Sequence, residues 1–393
     1  MMKKHFIIGV LCPLLFFSCG QAPDVQAPDG ATPRTLDVDL GKAERVFDMS
    51  SFLDTSFVSV IPLYTGPDCL MADDIDRFFI RSGKMVILEK RTSSVFIFRL
   101  DGSFVAKIHS LGGGPMDYVG ISDVYATDDD IVLLDNRSRK VLLYGFDGEF
   151  RRYFRMDGWY GNSIFCRDDR IYYMNEWSVP PEGAYRLFST DMEGKDLRKY
   201  LPFEQEKLRR VVKSPRQNYS FSGDKVHMIY PSTDTVYTLS ADRATAEYAL
   251  RFGDKSLPQK FWEMKYDELH RSGVSRSYVL GMENIYSFAG FLCLNFTCGA
   301  SLPNSYNSLC DLSTGLVSVS HFLSGNYFGL KIFPCKFVAD GYIVTTVTPR
   351  LFKSAYRQNP PAGPVWYNDR FNKVLAEADD EGNPIVILYK LKK

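Results

Sequence analysis

The stretch GFDGEFRRYF, residues 145–154, decides the fold because the chain contains it in three related copies. The other copies are RLDGSFVAKI, residues 99–108, and DMEGKDLRKY, residues 191–200. Each copy has the pattern of a strand end, an acidic turn that closes on glycine, and a second strand. The glycines that close the turns are 46 residues apart: Gly102, Gly148 and Gly194. This spacing predicts a repeated structural unit.

Two more strand-like runs precede each of these turns. They are KMVILEK and SVFIFRL in the first unit, DIVLLDN and KVLLYGF in the second, and RIYYMNE and YRLFSTD in the third. A period of about 46 residues with three or four short strands is the size of one β-propeller blade.

The pattern continues more loosely towards the C-terminus. KVHMIYP, TVYTLSA and ATAEYALRF form a fourth unit, FLCLNFT, NSLCDLS and GLVSVSHFL a fifth, and YIVTTVT with PIVILYKLK most of a sixth. The strand missing from the sixth unit is supplied by SFVSVIPL, which begins at Ser56. We therefore predict an all-β fold, a six-bladed β-propeller with short helical insertions, whose N- and C-terminal strands pair in one blade and close the ring.

A glycine-rich stretch, SLGGGPMDYVG, lies between the first two units at residues 110–120. A phosphate-binding loop needs a lysine and a Ser or Thr after its last glycine, followed by a helix, and this stretch has neither. The alternative is a tight connection from the outer strand of one blade to the inner strand of the next. We expect Gly112, Gly113 and Gly114 to supply positive φ angles there, and Pro115 to fix the exit.

The same region carries a family resemblance. Gly-Gly-Pro-x-Asp-Tyr, followed by ISDVYATDDDIVLLDNRSRKVLLYGFDGEF, resembles the six-bladed, NHL/TolB-like propeller lipoproteins of Gram-negative bacteria, most of them uncharacterised. Met116 stands where that family commonly has glycine, and Asp117 replaces Glu. The resemblance extends over roughly residues 52–393 and implies the fold, but it implies little about function.

The N-terminus has the pattern of a targeting segment. A short basic region and an apolar run from Phe6 to Phe17 lead to Cys19, which resembles the lipidated cysteine of bacterial lipoproteins. An ordinary secretory peptide is the alternative. Residues 1–18 are therefore interpreted as the signal, 19–50 as a flexible tether and 51–393 as the propeller. The predicted location is the bacterial cell envelope, lipid-anchored in the outer membrane, with the propeller facing the periplasm or the cell surface.

Charge and cysteine usage limit the possible partners and cofactors. The chain has 47 basic and 47 acidic residues, which argues against a nucleic-acid partner. No CxxC pair exists, and the four histidines that follow the signal lie in different units, so we predict neither a metal nor another cofactor. Most cysteines after the signal are interpreted as buried free thiols. Cys293 and Cys298 are the pair most in need of a test.

Three stretches interrupt the β pattern. Residues 256–273 and residues 368–378 have helical spacing, and residues 204–212 form a shorter helical piece. Such insertions either decorate the propeller or cover one end of its channel.

Candidate ligand-binding residues were sought in the loop after the second strand of each blade, because a propeller gathers these loops around its axis. Acidic, amide and basic side chains recur there in three units: Glu89 and Arg91; Asp135, Asn136 and Arg137; Asn175, Glu176 and Trp177. They suggest a polar funnel. The alternative is that the Asp and Asn side chains stabilise their own turns.

Aromatic residues next to Gly, Pro, Asn or Asp form a second set of candidates. They are Trp159, Tyr160, Trp177, Trp366 and Tyr367. We expect them in loops, where aromatic rings stack on sugars or on apolar peptide side chains. The alternative is that they fill gaps between blades and insertions.

Three functions fit these observations. The favoured one is a non-catalytic binding or scaffold lipoprotein that presents the propeller funnel to a glycan, a peptide or an envelope protein, with the membrane contacted through the lipid anchor only. The second is a hydrolase or lyase with an active site on the propeller axis. The third is a purely structural role, for which a wide apolar patch on the outside of the ring would be the sign. No catalytic residue is assigned from the sequence.

Overall fold

A computed structural model gives the fold of the chain. It describes residues 32–392, with the exception of residues 73, 177, 179–180, 204–213, 259, 262–263, 265–267, 269–270, 300–302, 325, 328–329, 332–335 and 358–364. The predicted lipidation site, Cys19, lies outside the described residues. So do Trp177 and the whole of the helical piece predicted at 204–212, and much of the helix predicted at 256–273.

Most of the described strands form six sheets, each built as one blade, and two short strands form a separate hairpin. Three strands lie near the N-terminus: β1 (Arg34–Asp37), β2 (Glu44–Asp48) and β3 (Leu53–Pro62). Blade 1 contains β4 (Arg77–Arg81), β5 (Lys84–Glu89), β6 (Ser94–Arg99) and β7 (Phe104–Ile108). Blade 2 contains β8 (Asp123–Ala126), β9 (Ile131–Asp135), β10 (Lys140–Tyr144) and β11 (Phe150–Arg155). Blade 3 contains β12 (Ser163–Arg167), β13 (Arg170–Met174), β14 (Tyr185–Asp191) and β15 (Arg198–Pro202).

The remaining blades follow the same order from the axis outwards. Blade 4 contains β16 (Tyr219–Ser222), β17 (Lys225–Ile229), β18 (Thr235–Ser240) and β19 (Arg243–Arg251). Blade 5 contains β20 (Met282–Phe288), β21 (Phe291–Thr297), β22 (Ser305–Asp311) and β23 (Val317–Ser324). A short hairpin of β24 (Asn326–Tyr327) and β25 (Leu330–Lys331) follows. Blade 6 contains β26 (Phe337–Ala339), β27 (Tyr342–Val347) and β28 (Ile385–Leu391). The predicted class, a six-bladed β-propeller, is confirmed.

Blade 6 takes its outermost strand from the other end of the chain. Its strand order is β26-β27-β28-β3, and β3 pairs antiparallel with β28, with Val60 opposite Ile387. The run SFVSVIPL therefore lies in a strand next to the C-terminal strand.

The segment before β3 also belongs to the propeller. Strand β1 pairs in parallel with β19 on the outer edge of blade 4, and β2 pairs in parallel with β23 on the outer edge of blade 5. Short 3-10 helices at Leu40–Lys42 and Met49–Phe52 link these strands. Residues 34–48, which the sequence assigned to the flexible tether, thus cover two sheet edges that would otherwise be unpaired. We call residues 34–52 the strap.

The repeated glycines lie in the turn before the outermost strand of their blade and pack against the preceding blade. All three have positive φ angles, 91° at Gly102, 83° at Gly148 and 76° at Gly194. A Cβ at Gly148 would lie 2.9 Å from the Cβ of Ala106 in blade 1, and one at Gly194 would overlap the ring of Phe154 in blade 2. Each turn therefore packs against the outer strand of the preceding blade, which only glycine permits.

The glycine-rich stretch connects β7 to β8 as predicted, but for a different physical reason. None of Gly112, Gly113 and Gly114 has a positive φ, so that expectation was wrong. A Cβ at Gly112 or Gly114 would instead lie 2.5 or 2.8 Å from the carboxylate of Asp117. That carboxylate accepts hydrogen bonds from the Gly114 backbone N–H (2.8 Å) and the Ser110 hydroxyl (2.7 Å). The two glycines make room for an acidic side chain that holds the loop together.

The core lies between neighbouring blades. All five residues of β9 are buried, and its two faces enter different clusters: Val132 and Leu134 pack towards blade 3, whereas Ile131 and Leu133 pack towards blade 1. Burial on both faces explains why the middle strands are continuous apolar runs rather than alternating patterns.

Two α-helices follow β27 and pack on blade 6. Helix α1 (Pro349–Tyr356) was not predicted, and α2 (Val365–Glu377) corresponds to the helix predicted at 368–378. Trp366 and Tyr367 lie in α2, so their assignment to a loop was wrong, and their side chains are outside the described part of the structure. Phe352, Tyr356, Phe371 and Val374 bury the apolar faces of the two helices against the blade. None of the described helices is both long and apolar enough to cross a lipid bilayer.

The cysteines that the structure describes are buried. They are Cys69, Cys166, Cys293, Cys298 and Cys310. Cys293 and Cys298 are not joined to each other by a disulfide bond. Burial raises the pKa of the Cys310 thiol to about 12.

Candidate functional site

The innermost strands place a buried ion pair on the propeller axis. Arg77 is the first residue of β4 and Asp123 is the first residue of β8, so they occupy the same position in consecutive blades. The Arg77 Nε lies 2.8 Å from Asp123 Oδ1 and its Nη2 lies 3.1 Å from Oδ2. Burial acts to lower the pKa of Arg77, but attraction to the Asp123 carboxylate outweighs it, and the pKa is raised.

Arg77 and Asp123 connect four blades. Arg77 also donates to the carbonyl of Arg216 and to Oδ1 of Asn218 (3.3 Å), both at the start of blade 4. Asp123 accepts the backbone N–H of Ile164 in blade 3 at 3.0 Å. Asn218 then donates to Ser163 Oγ at 2.5 Å, which completes a polar layer across the channel. Because each buried polar group has a partner, this layer is a rigid floor.

Below this floor, aromatic rings fill the channel between blades 1 and 4. They contact one another at centroid distances of 5.2 Å (Phe79–Tyr125), 6.4 Å (Tyr125–Tyr219) and 5.2 Å (Phe165–Tyr219). The Arg77 guanidinium lies 5.6 Å from the centre of the Tyr219 ring. Two cavities lie along the channel, one towards each end, and both are bordered by Arg77, Gln217, Tyr286 and Phe337.

The upper cavity opens at the end where the innermost strands begin. Its volume is about 460 Å³. Five of the six blades contribute to its lining: Asp74, Asp76, Arg77 and Lys90; Asn162, Ser163 and Glu176; Ser214, Arg216, Gln217 and Asn218; Asn284 and Tyr286; Lys336 and Phe337. This cavity is polar and carries charges of both signs next to four carboxamide groups.

Glu176 is the most strongly perturbed acid of the upper cavity. Its residue is 5% exposed, and its Oε1 accepts a hydrogen bond from Asn218 Nδ2 at 3.3 Å. Burial raises the pKa of Glu176 to about 7, although hydrogen bonding to Ser214 and attraction to Lys90 and Arg77 oppose the rise. Burial also raises the pKa of Asp76, whose carboxylate accepts the backbone N–H of Lys90 at 2.7 Å. Glu176 therefore exchanges its proton close to neutral pH.

The lower cavity, at the other end, has a different character. Its volume is about 500 Å³, and its lining includes Phe79, Tyr125 and Phe221. Tight two-residue turns with positive φ border it, such as Ala289–Gly290 and Asp340–Gly341. These turns follow the innermost strands directly and leave little chain for recognition, whereas the connections around the upper cavity are longer.

The structure separates the candidates taken from the second-strand loops. Glu176 lies in the upper cavity. Three other candidates are fully buried and hydrogen-bond within their own loops. Glu89 pairs with the Thr92 hydroxyl, Asp135 with Ser138, and Asn175 with Ser178. This is the turn-stabilising arrangement that was the alternative. Arg91 and Arg137 are exposed outside the cavity, and Asn136 is half-buried.

The aromatic candidates are also dispersed. Trp159 is buried in the core, and its ring meets that of Tyr173 at 6.0 Å, edge to face. Tyr160 is half-buried, and the Arg139 guanidinium stacks over its ring at 4.8 Å. Neither lines a cavity described above, so Trp159 fills a gap between blades and Tyr160 holds a surface arginine.

Arg77 and Asp123, two residues of the polar floor, were not predicted from the sequence. The signal was present: Arg77 and Asp123 each precede their turn glycines, Gly102 and Gly148, by 25 residues. Extending the repeat backwards would have placed both on the axis. Within the described residues, no three His, Cys, Asp or Glu side chains are grouped in a way that would hold a metal ion.

Comparison with known proteins places this architecture in a family. A family model described as "Domain of unknown function (DUF4934)" matches residues 34–390. A putative exported protein from Bacteroides fragilis is 17% identical, with 91% of this chain and 100% of that chain covered and a TM-score of 0.66. A DUF4221 family member from Bacteroides vulgatus is 12% identical, with 87% and 98% covered and a TM-score of 0.48. The extracellular domain of a putative one-component system from B. thetaiotaomicron is 9% identical, with 67% and 29% covered and a TM-score of 0.38. None of the curated proteins matches the sequence. At 17% identity the match to the Bacteroides fragilis protein bears on the fold alone.

Proposed function

Because the chain belongs to the DUF4934 family, whose description assigns no activity, we propose its function from its own geometry: it is a non-catalytic binding protein of the bacterial cell envelope. The upper cavity holds the ligand, and the ring of blades is the scaffold that positions the cavity walls. The ligand is a glycan or a peptide, presented either free or as part of an envelope protein.

The observation that carries this proposal is the convergence of polar side chains on the upper cavity. A volume of about 460 Å³ is in the range of sites that enclose small ligands. The carboxamides of Asn162, Gln217, Asn218 and Asn284 can pair with hydroxyl or peptide groups, which offer both donors and acceptors. The floor of Arg77 and Asp123 is held by buried hydrogen bonds and needs no rearrangement when a ligand binds.

An envelope location is supported by two observations. The Bacteroides fragilis neighbour is described as an exported protein, and the N-terminal segment of this chain resembles a lipoprotein signal that ends at Cys19. We propose that Cys19 carries the lipid. Labelled palmitate should enter the wild-type protein in cells, and a Cys19→Ala variant should lose both the label and its place in the membrane fraction. Equal labelling of the two forms would contradict the lipid anchor.

The ligand test uses arrays of glycans and peptides with the purified protein. A ligand of the upper cavity should bind at least tenfold more weakly to Lys90→Met, because Lys90 lines the cavity wall. Lys84→Met is the matched control, since Lys84 begins β5 at its lower end and Lys90 directly follows the upper end of that strand. Equal losses in the two variants would place the ligand elsewhere. Chemical turnover of a bound ligand would contradict the non-catalytic assignment.

A second candidate function rests on one specific observation. Glu176, with its pKa of about 7, could act as a general acid or base in the same cavity, as in a hydrolase or lyase with an axial site. In that case a bound glycan or peptide should be converted to product, and Glu176→Gln should abolish conversion while leaving the Kd within a few-fold. A ligand recovered unchanged after long incubation with the wild type would exclude this candidate.

A further inference from the structure

We propose that the upper face of blades 1 and 2 is a docking surface for an acidic polypeptide segment that also carries apolar side chains. The docking surface consists of Arg91, Leu111, Met116, Val119 and Arg137. It lies outside the upper cavity, so this proposal does not depend on a cavity ligand.

The docking surface is continuous because one loop joins its parts. Arg91 and Arg137 are 46 residues apart and follow the second strands of adjacent blades. The connection at residues 110–120 lies between them. Its Tyr118 hydroxyl donates to the carbonyl of Ser93, in the loop of Arg91, at 2.9 Å. Its Val119 backbone N–H donates to Asp135 at 2.7 Å, and the same carboxylate accepts the backbone N–H of Arg137 at 3.0 Å.

The exposed charged groups of this surface are its two arginines, because the nearby carboxylates are buried or turned into their own loops. Asp135 is fully buried and also accepts from the Ser138 N–H (3.2 Å) and hydroxyl. Glu89 is fully buried and accepts from the Thr92 hydroxyl. Hydrogen bonds from the Ser110 hydroxyl and the Gly114 N–H hold the pKa of Asp117 below its usual range. Both Arg91 and Arg137 are exposed, and neither has an ion-pair partner among the residues that the structure describes.

Three apolar side chains stand between the two arginines. Leu111 is 53% exposed, Met116 55% and Val119 52%. Exposed apolar side chains are common when single, but three on one loop of eleven residues make a patch. Tyr118 of the same loop is fully buried in the core, so these three side chains are the apolar groups that the loop leaves exposed.

The loop is rigid rather than adaptable. The ammonium group of Lys140 donates to the carbonyls of Gly114 (2.6 Å) and Asp117 (3.0 Å). The Tyr144 hydroxyl donates to the carbonyl of Met116 at 3.1 Å. A partner that binds here does not need to order the loop, which lowers the entropic cost of binding.

These features favour a polypeptide over a lipid surface. Two guanidinium groups can each form paired hydrogen bonds with a carboxylate, and the patch between them accepts an apolar side chain. Two basic residues alone attract an anionic membrane only weakly, and membrane-binding surfaces usually add aromatic or long apolar side chains. With two free arginines and no exposed aromatic ring among its members, the docking surface suits an acidic segment with interspersed Leu, Ile, Val or Met.

The experiment measures the binding of defined peptides to the purified protein by fluorescence anisotropy. The probes are twelve-residue peptides in which Asp or Glu alternates with Leu, and the same peptides with Asn and Gln in place of the acids. The test variants are Arg91→Glu/Arg137→Glu and Leu111→Ser/Met116→Ser/Val119→Ser. The control variant is Arg155→Glu/Arg276→Glu, which reverses two exposed arginines elsewhere on the ring. Vesicles of anionic phospholipid serve as the competing ligand.

The acidic peptides should bind at least tenfold more tightly than their amide versions, and binding should weaken in high salt. Each test variant should bind the acidic peptides at least tenfold more weakly than the wild type and should unfold at the same temperature. The control variant should bind these peptides as tightly as the wild type. Equal binding by the arginine variant overturns the proposal, as does the failure of every acidic peptide to bind. The proposal is also overturned if the wild type binds the anionic vesicles, the test variants bind them more weakly, and no peptide binds. Because Lys90→Met should leave peptide binding intact, failure here is distinguishable from failure of the cavity proposal.

Discussion

Arg77 and Asp123, the first residues of two consecutive innermost strands, close a bidentate ion pair on the propeller axis. The two side chains are 4% and 0% exposed. Through Asn218 and Ile164 the pair reaches blades 3 and 4, so one interaction links four of the six blades.

Removing one partner of this pair should destabilise the propeller strongly. Arg77→Met leaves the Asp123 carboxylate buried without its countercharge, which typically costs about 3–5 kcal/mol. We expect a loss of that size in the free energy of unfolding, measured by urea denaturation.

The double variant Arg77→Met/Asp123→Asn tests whether the two residues act as a pair. It should be more stable than Arg77→Met alone, because no unpaired charge remains. Arg155→Met, at an exposed position of β11, should change stability by less than about 0.5 kcal/mol. Additive losses in the double variant would show that the ion pair is not the stabilising unit.

The stability of the protein should depend on pH through Glu176. Its folded-state pKa of about 7 lies above the ordinary value of 4.5, so the folded protein binds the proton more tightly than the unfolded chain. Stability is therefore greatest below about pH 4.5 for this group, falls as the pH rises to about 7, and then stays constant. Glu176→Gln should raise the free energy of unfolding at pH 8 by up to about 3 kcal/mol and change it little at pH 4.

Unfolding curves of the wild type and Glu176→Gln across pH 4–8 measure this difference directly. Asp76 titrates in the same direction and is present in both forms, so it cancels in the comparison. Parallel pH profiles for the two proteins would mean that folding leaves the pKa of Glu176 unchanged.

The repeat glycines should be far less tolerant than glycines elsewhere. In Gly148→Ala the new Cβ adds a steric conflict with Ala106 to the strain of a positive φ. Gly83→Ala has the positive φ but open space around it, and should cost about 1–2 kcal/mol. Gly113→Ala has neither problem and should be within about 0.5 kcal/mol of the wild type. The fall in unfolding temperature should be largest for Gly148→Ala, smaller for Gly83→Ala and smallest for Gly113→Ala. Equal falls for Gly148→Ala and Gly83→Ala would refute the close packing of blades 1 and 2 at Gly148.

Deleting the strap should expose two sheet edges. A protein that begins at residue 32 retains β1 and β2, whereas one that begins at residue 51 leaves β19 and β23 unpaired on their outer sides. We expect the shorter form to unfold at a lower temperature and to aggregate. Light scattering and calorimetry on the two forms measure this. If residues 34–48 were a passive tether, the two proteins would behave alike.

The middle strands and the turns could be predicted because their information is local. Runs such as KMVILEK are apolar on both faces, and the turn glycines require positive φ, so both leave a pattern in the sequence. Strand β3 could be assigned to the C-terminal blade by counting strands, since the sixth unit was one short.

The innermost strands and the strap could not be identified in the same way. RFFIR in β4 and YSFS in β16 are short and mix polar with aromatic residues, because one side faces the channel. RTLD in β1 follows a Pro- and Gly-rich stretch and becomes a strand only through the exposed edge of β19. The upper cavity depends on these elements. Its residues come from positions as far apart as Asp74 and Phe337, and only the assembled ring brings them together.

The strap also determines how the protein responds to a mechanical load. A pull on the N-terminus reaches β1 first, whose four residues pair with β19, and then β2, whose five pair with β23, before it reaches the ten-residue strand β3. The two shorter strands should detach first and release the strap, whose residues 34–52 extend to about 65 Å at roughly 3.4 Å per residue. Strand β3 would still be paired with β28, so a pull on the N-terminus would extend the strap before it loads the blades.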